Sequence, residues 1–172
     1  MFSIKQMISL GLMLLMLSTM VVFTTGVASA HTTSPSLAAV SCLDTSCDGK
    51  SPISTGCAGD GQDMHVVTSS DLGGGLRADV ALRYSATCGA AWAKVTFNAS
   101  MPSGHYGDAG IKSSRGKYYD CSSAGGNGWV SPGQTSCYTP MVGDYHSSES
   151  AYAAGFYSTN GTWKQVATTV SY

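Results

Sequence analysis

Six cysteines, Cys42, Cys47, Cys57, Cys88, Cys121 and Cys137, all lie beyond residue 30. An even set of cysteines in an oxidising compartment reads as a disulfide framework, and covalent ties limit a small chain to folds that bring the paired positions together. The gaps between them are four, nine, thirty, thirty-two and fifteen residues, with no Cys-x-x-Cys pair to begin a zinc knuckle or a redox motif. Disulfides are therefore expected over a metal site. Spacing alone does not choose among the many connectivities that six cysteines allow.

The compartment is read from residues 1–30. Lys5 lies in a short basic start, an apolar run covers residues 8–23, and Ala28-Ser29-Ala30 forms a small-residue cleavage site. The run is interrupted by Ser9, Gly11, Ser18 and Thr19 and is shorter than the ~20 apolar residues that a spanning helix needs. No cysteine sits just after it to take a lipid. Even a retained anchor, with Lys5 inside, would leave the rest of the chain outside. The expectation is a secreted, extracellular protein with no stable membrane anchor after cleavage and His31 as its new N-terminus.

Residues 31–172 suit one domain. Residues 31–41 are Ser/Thr/Ala-rich without a period and read as a flexible lead-in, so the expected extracytoplasmic β domain covers 42–172. Beyond residue 30 there are eight basic and ten acidic residues, a net charge of 8 − 10 = −2 with histidine neutral. Nothing there supplies the basic face that phosphate neutralisation needs, which argues against a nucleic-acid partner. A monomer is expected.

Strand signals dominate. Leu76, Ala78, Val80, Leu82 and Tyr84 alternate with Arg77, Asp79, Ala81 and Arg83, the period of a half-wet strand. A β-branched run at 64–69 precedes it across a glycine-rich turn, and Ala91, Ala93, Val95 and Phe97 alternate with Trp92, Lys94 and Thr96 after it. Residues 110–119 and 136–142 read as further strands around the turn Gly125-Gly126-Asn127-Gly128. Residues 151–158 and 162–170 flank Asn160-Gly161, a favoured hairpin turn. The fold class expected is all-β, a small disulfide-stabilised antiparallel sandwich or barrel of about six to eight short strands.

Two segments carry a family resemblance. Cys47-Asp48-Gly49-Lys50-Ser51-Pro52, closing at Gly56-Cys57, and Leu82-Arg83-Tyr84-Ser85-Ala86-Thr87-Cys88 with Ala91-Trp92-Ala93 resemble the YjfA-like secreted bacterial proteins, a domain of unknown function. Gly125-Gly126-Asn127-Gly128 and Ser136-Cys137-Tyr138-Thr139-Pro140-Met141 are similar to the C-terminal part of exported members. The resemblance implies an extracytoplasmic module and no reaction. It also implies a pairing: Cys57 with Cys88, Cys42 with Cys47, and Cys121 with Cys137.

Among candidate binding residues, Arg83 and Trp92 fall on the polar phase of their strands and would meet on one face, as a cation–aromatic platform for sugar or peptide. The blander alternative has Trp92 covering Cys88 or a loop with Arg83 over it. Trp129 and Trp163, with Tyr118, Tyr119, Tyr138, Tyr145, Tyr152 and Tyr157, are candidates for a carbohydrate groove, although small β cores use the same residues. An N-terminal His31 with His65, His105 or His146 suggests copper, but a flexible lead-in preforms no such site. Asp44, Asp48, Asp60 and Asp63 suggest calcium without the spacing of a calcium loop. No cofactor or metal is expected.

Catalytic motifs are sparse. Glu149 is the sole glutamate, no nucleophile elbow or zinc-protease helix occurs, and the acid–imidazole groupings are His105 with Asp108 and Asp144 with His146 and Ser147. The leading expectation is thus a non-catalytic binding module for cell-wall glycan or another exported protein. The alternatives are a small secreted hydrolase using His105 or His146 and an inhibitor of exported enzymes with residues 42–57 as its loop.

Overall fold

A computed structural model describes residues 39–172. The expected signal peptide, His31 and most of the lead-in lie outside the described residues. Polar residues 42–61 form loops with two short 3-10 helices, Asp44–Cys47 and Cys57–Gly59. The first sheet contains β1 (Gln62–Thr68), β2 (Ala78–Ser85) and β3 (Ala90–Phe97), with β6 (Ser136–Tyr138) and the two-residue β7 (Val142–Gly143) both on the free edge of β3. The second runs β5-β4-β8-β9, from β4 (His105–Ser113), β5 (Tyr118–Asp120), β8 (Ala151–Thr159) and β9 (Thr162–Thr168). Every pairing between these strands is antiparallel. The result is a sandwich of two sheets, all-β and disulfide-bonded.

The period-two pattern explains the central pair. Ala78, Val80 and Leu82 of β2 and Ala91, Ala93, Val95 and Phe97 of β3 are buried in the inter-sheet core. The opposite sheet contributes Ala109, Ile111, Ala153 and Tyr157. Burying side chains of this size is worth roughly 1.5–3 kcal/mol each for the larger aliphatics, which makes the interior the main source of stability. The sheets close tightly at Gly155, where a Cβ would drive into Val80 Cγ2, and at Gly107, where it would drive into the Phe97 ring. Asn160 and Gly161 take φ of 50° and 79°, joining β8 to β9 through the positive-φ turn their residue types favour.

Two expected strands are split. Residues 110–119 are interrupted by the turn at Arg115-Gly116, where Gly116 has φ of 81°, so they belong to β4 and β5. Residues 136–142 break at Pro140, which has no N–H to continue a ladder. Thr139 replaces part of that ladder: its N–H donates to the Ala93 carbonyl and its hydroxyl accepts from Ala93 N–H, each at 3.0 Å. These breaks and the brevity of β7 bring the strand total to nine among the described residues.

Disulfides join Cys42 to Cys47, Cys57 to Cys88, and Cys121 to Cys137, and among the described residues no cysteine is free. The first two bridges pack with Ala90, Trp92 and Met141 into a second apolar cluster beneath loop 42–61. That loop has few apolar side chains of its own, so the covalent ties and the Trp92 ring supply what holds it. Among the described residues no helix is long and apolar enough to cross a membrane.

Candidate functional site

Alternation along β4 gives the sandwich an outer aromatic face. Gly107, Ala109, Ile111 and Ser113 are buried toward the interior, which turns Tyr106, Asp108, Gly110 and Lys112 the other way. Strand register then aligns the neighbours: Tyr118 of β5 pairs with Lys112, Asp120 with Gly110, Phe156 of β8 with Asp108, and Trp163 of β9 with Ser158. Gly110 leaves these rings room to lie close over the strand, since a Cβ would stand 2.8 Å from Tyr118 Oη and 3.2 Å from Phe156 Cε2.

Trp129 reaches this face from the loop between β5 and β6. Its neighbour Val130 exchanges two backbone hydrogen bonds with Gly107, at 2.8 and 3.0 Å, and is fully buried. Adjacent extended residues point to opposite sides, so anchoring Val130 inward presents Trp129 outward. The Cys121–Cys137 bridge and the Gly128 N–H bond to the Cys121 carbonyl (2.8 Å) fix the rest of the loop.

Trp129 and Trp163 are 47% and 41% exposed, and their ring centroids are 5.8 Å apart at an interplanar angle of 59°. With Tyr118, Phe156, Asp108 and Asp120 they line an open groove of about 250 Å³. Asp108 is at its floor, 8% exposed, with Oδ1 accepting from the N–H groups of Ala109 (2.8 Å) and Cys121 (3.1 Å). Burial pushes its carboxyl up to about 7, against the pull of the Cys121 N–H, and the nearby Asp120 charge adds to the rise. Asp120 is held by Ser122 and Ser123, whose hydroxyls donate to its Oδ1 at 2.8 and 3.0 Å.

The structure separates the other candidates. Arg83 and Trp92 are cross-strand partners, but Trp92 is 2% exposed and packs on the disulfide cluster. Its ring is no platform for a ligand; the pair is a structural contact in which Arg83 lies over the indole. His105 and Asp108 are three residues apart on one strand and so face opposite ways, with His105 Nδ1 instead 2.5 Å from Tyr157 Oη. His146 Nε2 lies 3.6 Å from Asp44 Oδ2, and His146 itself lines a second pocket with Asp144, Ser147 and Glu149.

The four loop aspartates do not converge. Asp44 faces His146, Asp48 pairs with Arg115, Asp60 accepts from Ser85 and Thr87, and Asp63 pairs with Arg83. That dispersal leaves no shared calcium cage among them. Of the groove residues, Trp129 and Trp163 were readable as aromatic candidates, whereas Asp120 and Phe156 carried no motif. Their signal is strand phase: both fall in step with Asp108 once β4, β5 and β8 are in register.

Residues 45–154 match the family described as Protein of unknown function (DUF2690). The chain belongs to this family. A similar relative is the uncharacterized protein YjfA of Bacillus subtilis (strain 168), 44% identical over 115 residues that cover 64% of this chain and 71% of that protein. No solved structure matches. Within the DUF2690 segment lie the five cysteines Cys47, Cys57, Cys88, Cys121 and Cys137, together with Asp108, Tyr118, Asp120 and Trp129. Phe156 and Trp163, which complete the groove, lie just beyond it.

Proposed function

We propose that this chain is a secreted, extracytoplasmic binding module that holds a glycan on the outer face of its four-stranded sheet. The observation that carries the reading is the exposed pair Trp129 and Trp163, set side by side over Asp108 and Asp120. Large aromatic rings left in solvent on a rigid sheet are costly unless they meet a partner, and sugar rings combine an apolar C–H face with hydroxyls that carboxylates accept from. Disulfides are kept in oxidising compartments, in agreement with export. Cell-wall glycan is the proposed partner class.

The test is a pull-down on purified bacterial cell wall and a glycan array, using the folded chain and the variants Trp129→Ala and Trp163→Ala. Binding by the parent and loss of at least about tenfold in affinity in each variant is the expected result, as for an aromatic at the centre of an interface. No binding by the parent above background on either surface would sink the reading.

A second reading, hydrolysis of the bound glycan, is favoured by Asp108. A carboxyl that stays protonated near neutrality beside a second carboxylate has the makings of a general acid. In that case Asp108→Asn abolishes release of reducing ends while leaving binding in place; a parent protein that releases none removes the hydrolase.

A further inference from the structure

We propose that the pocket formed by Tyr84, Asp144, Tyr145, His146 and Tyr172 binds the primary ammonium end of an unbranched alkylamine, as a lysine side chain would present it. This site shares no lining residue with the tryptophan groove.

Its centre is a carboxylate with nothing to hold. Asp144 is 7% exposed, and neither of its side-chain oxygens has a hydrogen-bond partner among the described residues. Its backbone is fixed by a 2.9 Å bond from its N–H to the Gly89 carbonyl, directly after β7. A buried carboxylate costs several kcal/mol of desolvation on the order of magnitude known for ions in proteins, so Asp144 without a donor marks an incomplete site.

The nearby cation does not complete it. Arg115 is committed elsewhere: its two Nη atoms bond Asp48 at 2.9 and 3.2 Å, Nη2 also bonds the Gly143 carbonyl at 2.9 Å, and Nε meets Glu149 Oε1 at 3.1 Å. Glu149 Oε2 accepts from the His146 N–H at 3.3 Å. Asp144 is left facing the space lined by the pocket residues, about 320 Å³ in volume.

The walls select the kind of cation. Tyr84 and Tyr172 stand with ring centroids 5.3 Å apart, and Tyr145, 65% exposed, packs edge-on to His146 at 5.5 Å. Aromatic faces attract an ammonium and cover its alkyl stem. A quaternary ammonium would bring charge without donors, whereas a primary one carries three N–H groups for the empty oxygens. A bare metal ion fits poorly. Among the described residues, the groups of three or more ligand side chains that gather within 4.8 Å of one another are made of disulfide cysteines and Asp108, none of which lines this pocket.

The test uses the full mature chain and titrates cadaverine, followed by amide NMR shifts and calorimetry, with tetramethylammonium chloride and calcium chloride run in parallel. Saturable cadaverine shifts at residues 84 and 144–149 are expected, reduced at least about tenfold in affinity by Asp144→Asn. Tyr145→Ala, at an exposed position, guards against a folding defect in the first variant and should weaken binding without altering the thermal midpoint. Trp163→Ala should leave cadaverine binding unchanged, which separates this site from the glycan face. Absence of saturable shifts, equal binding by Asp144→Asn in its folded state, or stronger binding of calcium or tetramethylammonium would each overturn the proposal.

Discussion

The guanidinium carbon of Arg83 stands 5.4 Å from the centroid of the Trp92 ring, the two residues being directly opposed across β2 and β3. Arg83 does more than cover the indole. Its Nε meets Asp63 Oδ1 at 2.8 Å and its Nη2 donates to the Gly61 carbonyl at 2.6 Å, so one side chain clips the entry to β1 onto the ring. Gly61 approaches so closely that a Cβ there would overlap Trp92.

Trp92→Ala should therefore destabilise the fold by about 3–5 kcal/mol, the range for emptying a large aromatic site. Arg83→Lys should cost less but more than a surface change, because an ammonium cannot reproduce the planar fork that reaches Asp63, Gly61 and the ring together. Urea denaturation followed by tryptophan fluorescence measures both. A loss below 1 kcal/mol for Trp92→Ala, on the scale of ordinary surface changes, would contradict its structural role.

The three bridges should rank by the chain they enclose. Cys57 and Cys88 are separated by 31 positions, Cys121 and Cys137 by 16, and Cys42 and Cys47 by 5. In the loop-entropy account the longest is worth about 3–4 kcal/mol and the shortest least. Paired Cys→Ser variants compared by thermal melting should follow that order, and intact-mass analysis of the unreduced protein should find no free thiol.

How much of this was legible follows from the kind of signal each residue carried. The β2 alternation and the Asn160-Gly161 turn are local, and both gave strands where the chain has them. The Arg83–Trp92 contact was also within reach, because two adjacent strands with a short connection fix their register. Of the two readings of that contact the structural one holds: Trp92 packs on the Cys57–Cys88 bridge under loop 42–61 with Arg83 over it, although strand phase alone did not decide between them. The groove is the reverse case. Trp129 and Trp163 are thirty-four residues apart, and only the 4-to-8 and 8-to-9 strand pairings, with Val130 tied to Gly107, bring them together. The split of residues 110–119 was missed because Arg115-Gly116 is a weaker break than a multi-glycine turn.

Gly155 offers a test of the sheet-to-sheet distance. Its φ is not in the left-handed region, so an alanine would adopt the backbone without strain, but its methyl would collide with Val80 in the other sheet. Gly155→Ala should cost about 1–3 kcal/mol from overpacking. Combining it with Val80→Ala should recover part of that loss, since the two share one space. Strictly additive losses in chemical denaturation would show that the sheets are not in contact there.

Stability should fall as pH rises from weakly acid to neutral, and Asp108 is the main reason. Burial and the neighbouring Asp120 raise its carboxyl to about 7 in the folded chain, against the ordinary value of 3.8 expected after unfolding. Between those values the folded state holds a proton that the unfolded state has lost. Its stabilising contribution is thus complete below about pH 4 and declines until pH passes about 7. Asp144, raised to about 6 by burial and then by Glu149, adds a loss of the same sign that ends earlier. Asp108→Asn keeps an oxygen for the Ala109 and Cys121 N–H groups while removing the ionisation, so its thermal midpoint should drop less than that of the parent between pH 4 and pH 8. Melting curves at intervals across that range decide it: parallel declines for the two proteins would mean that Asp108 ionises in the folded state as freely as in the unfolded one.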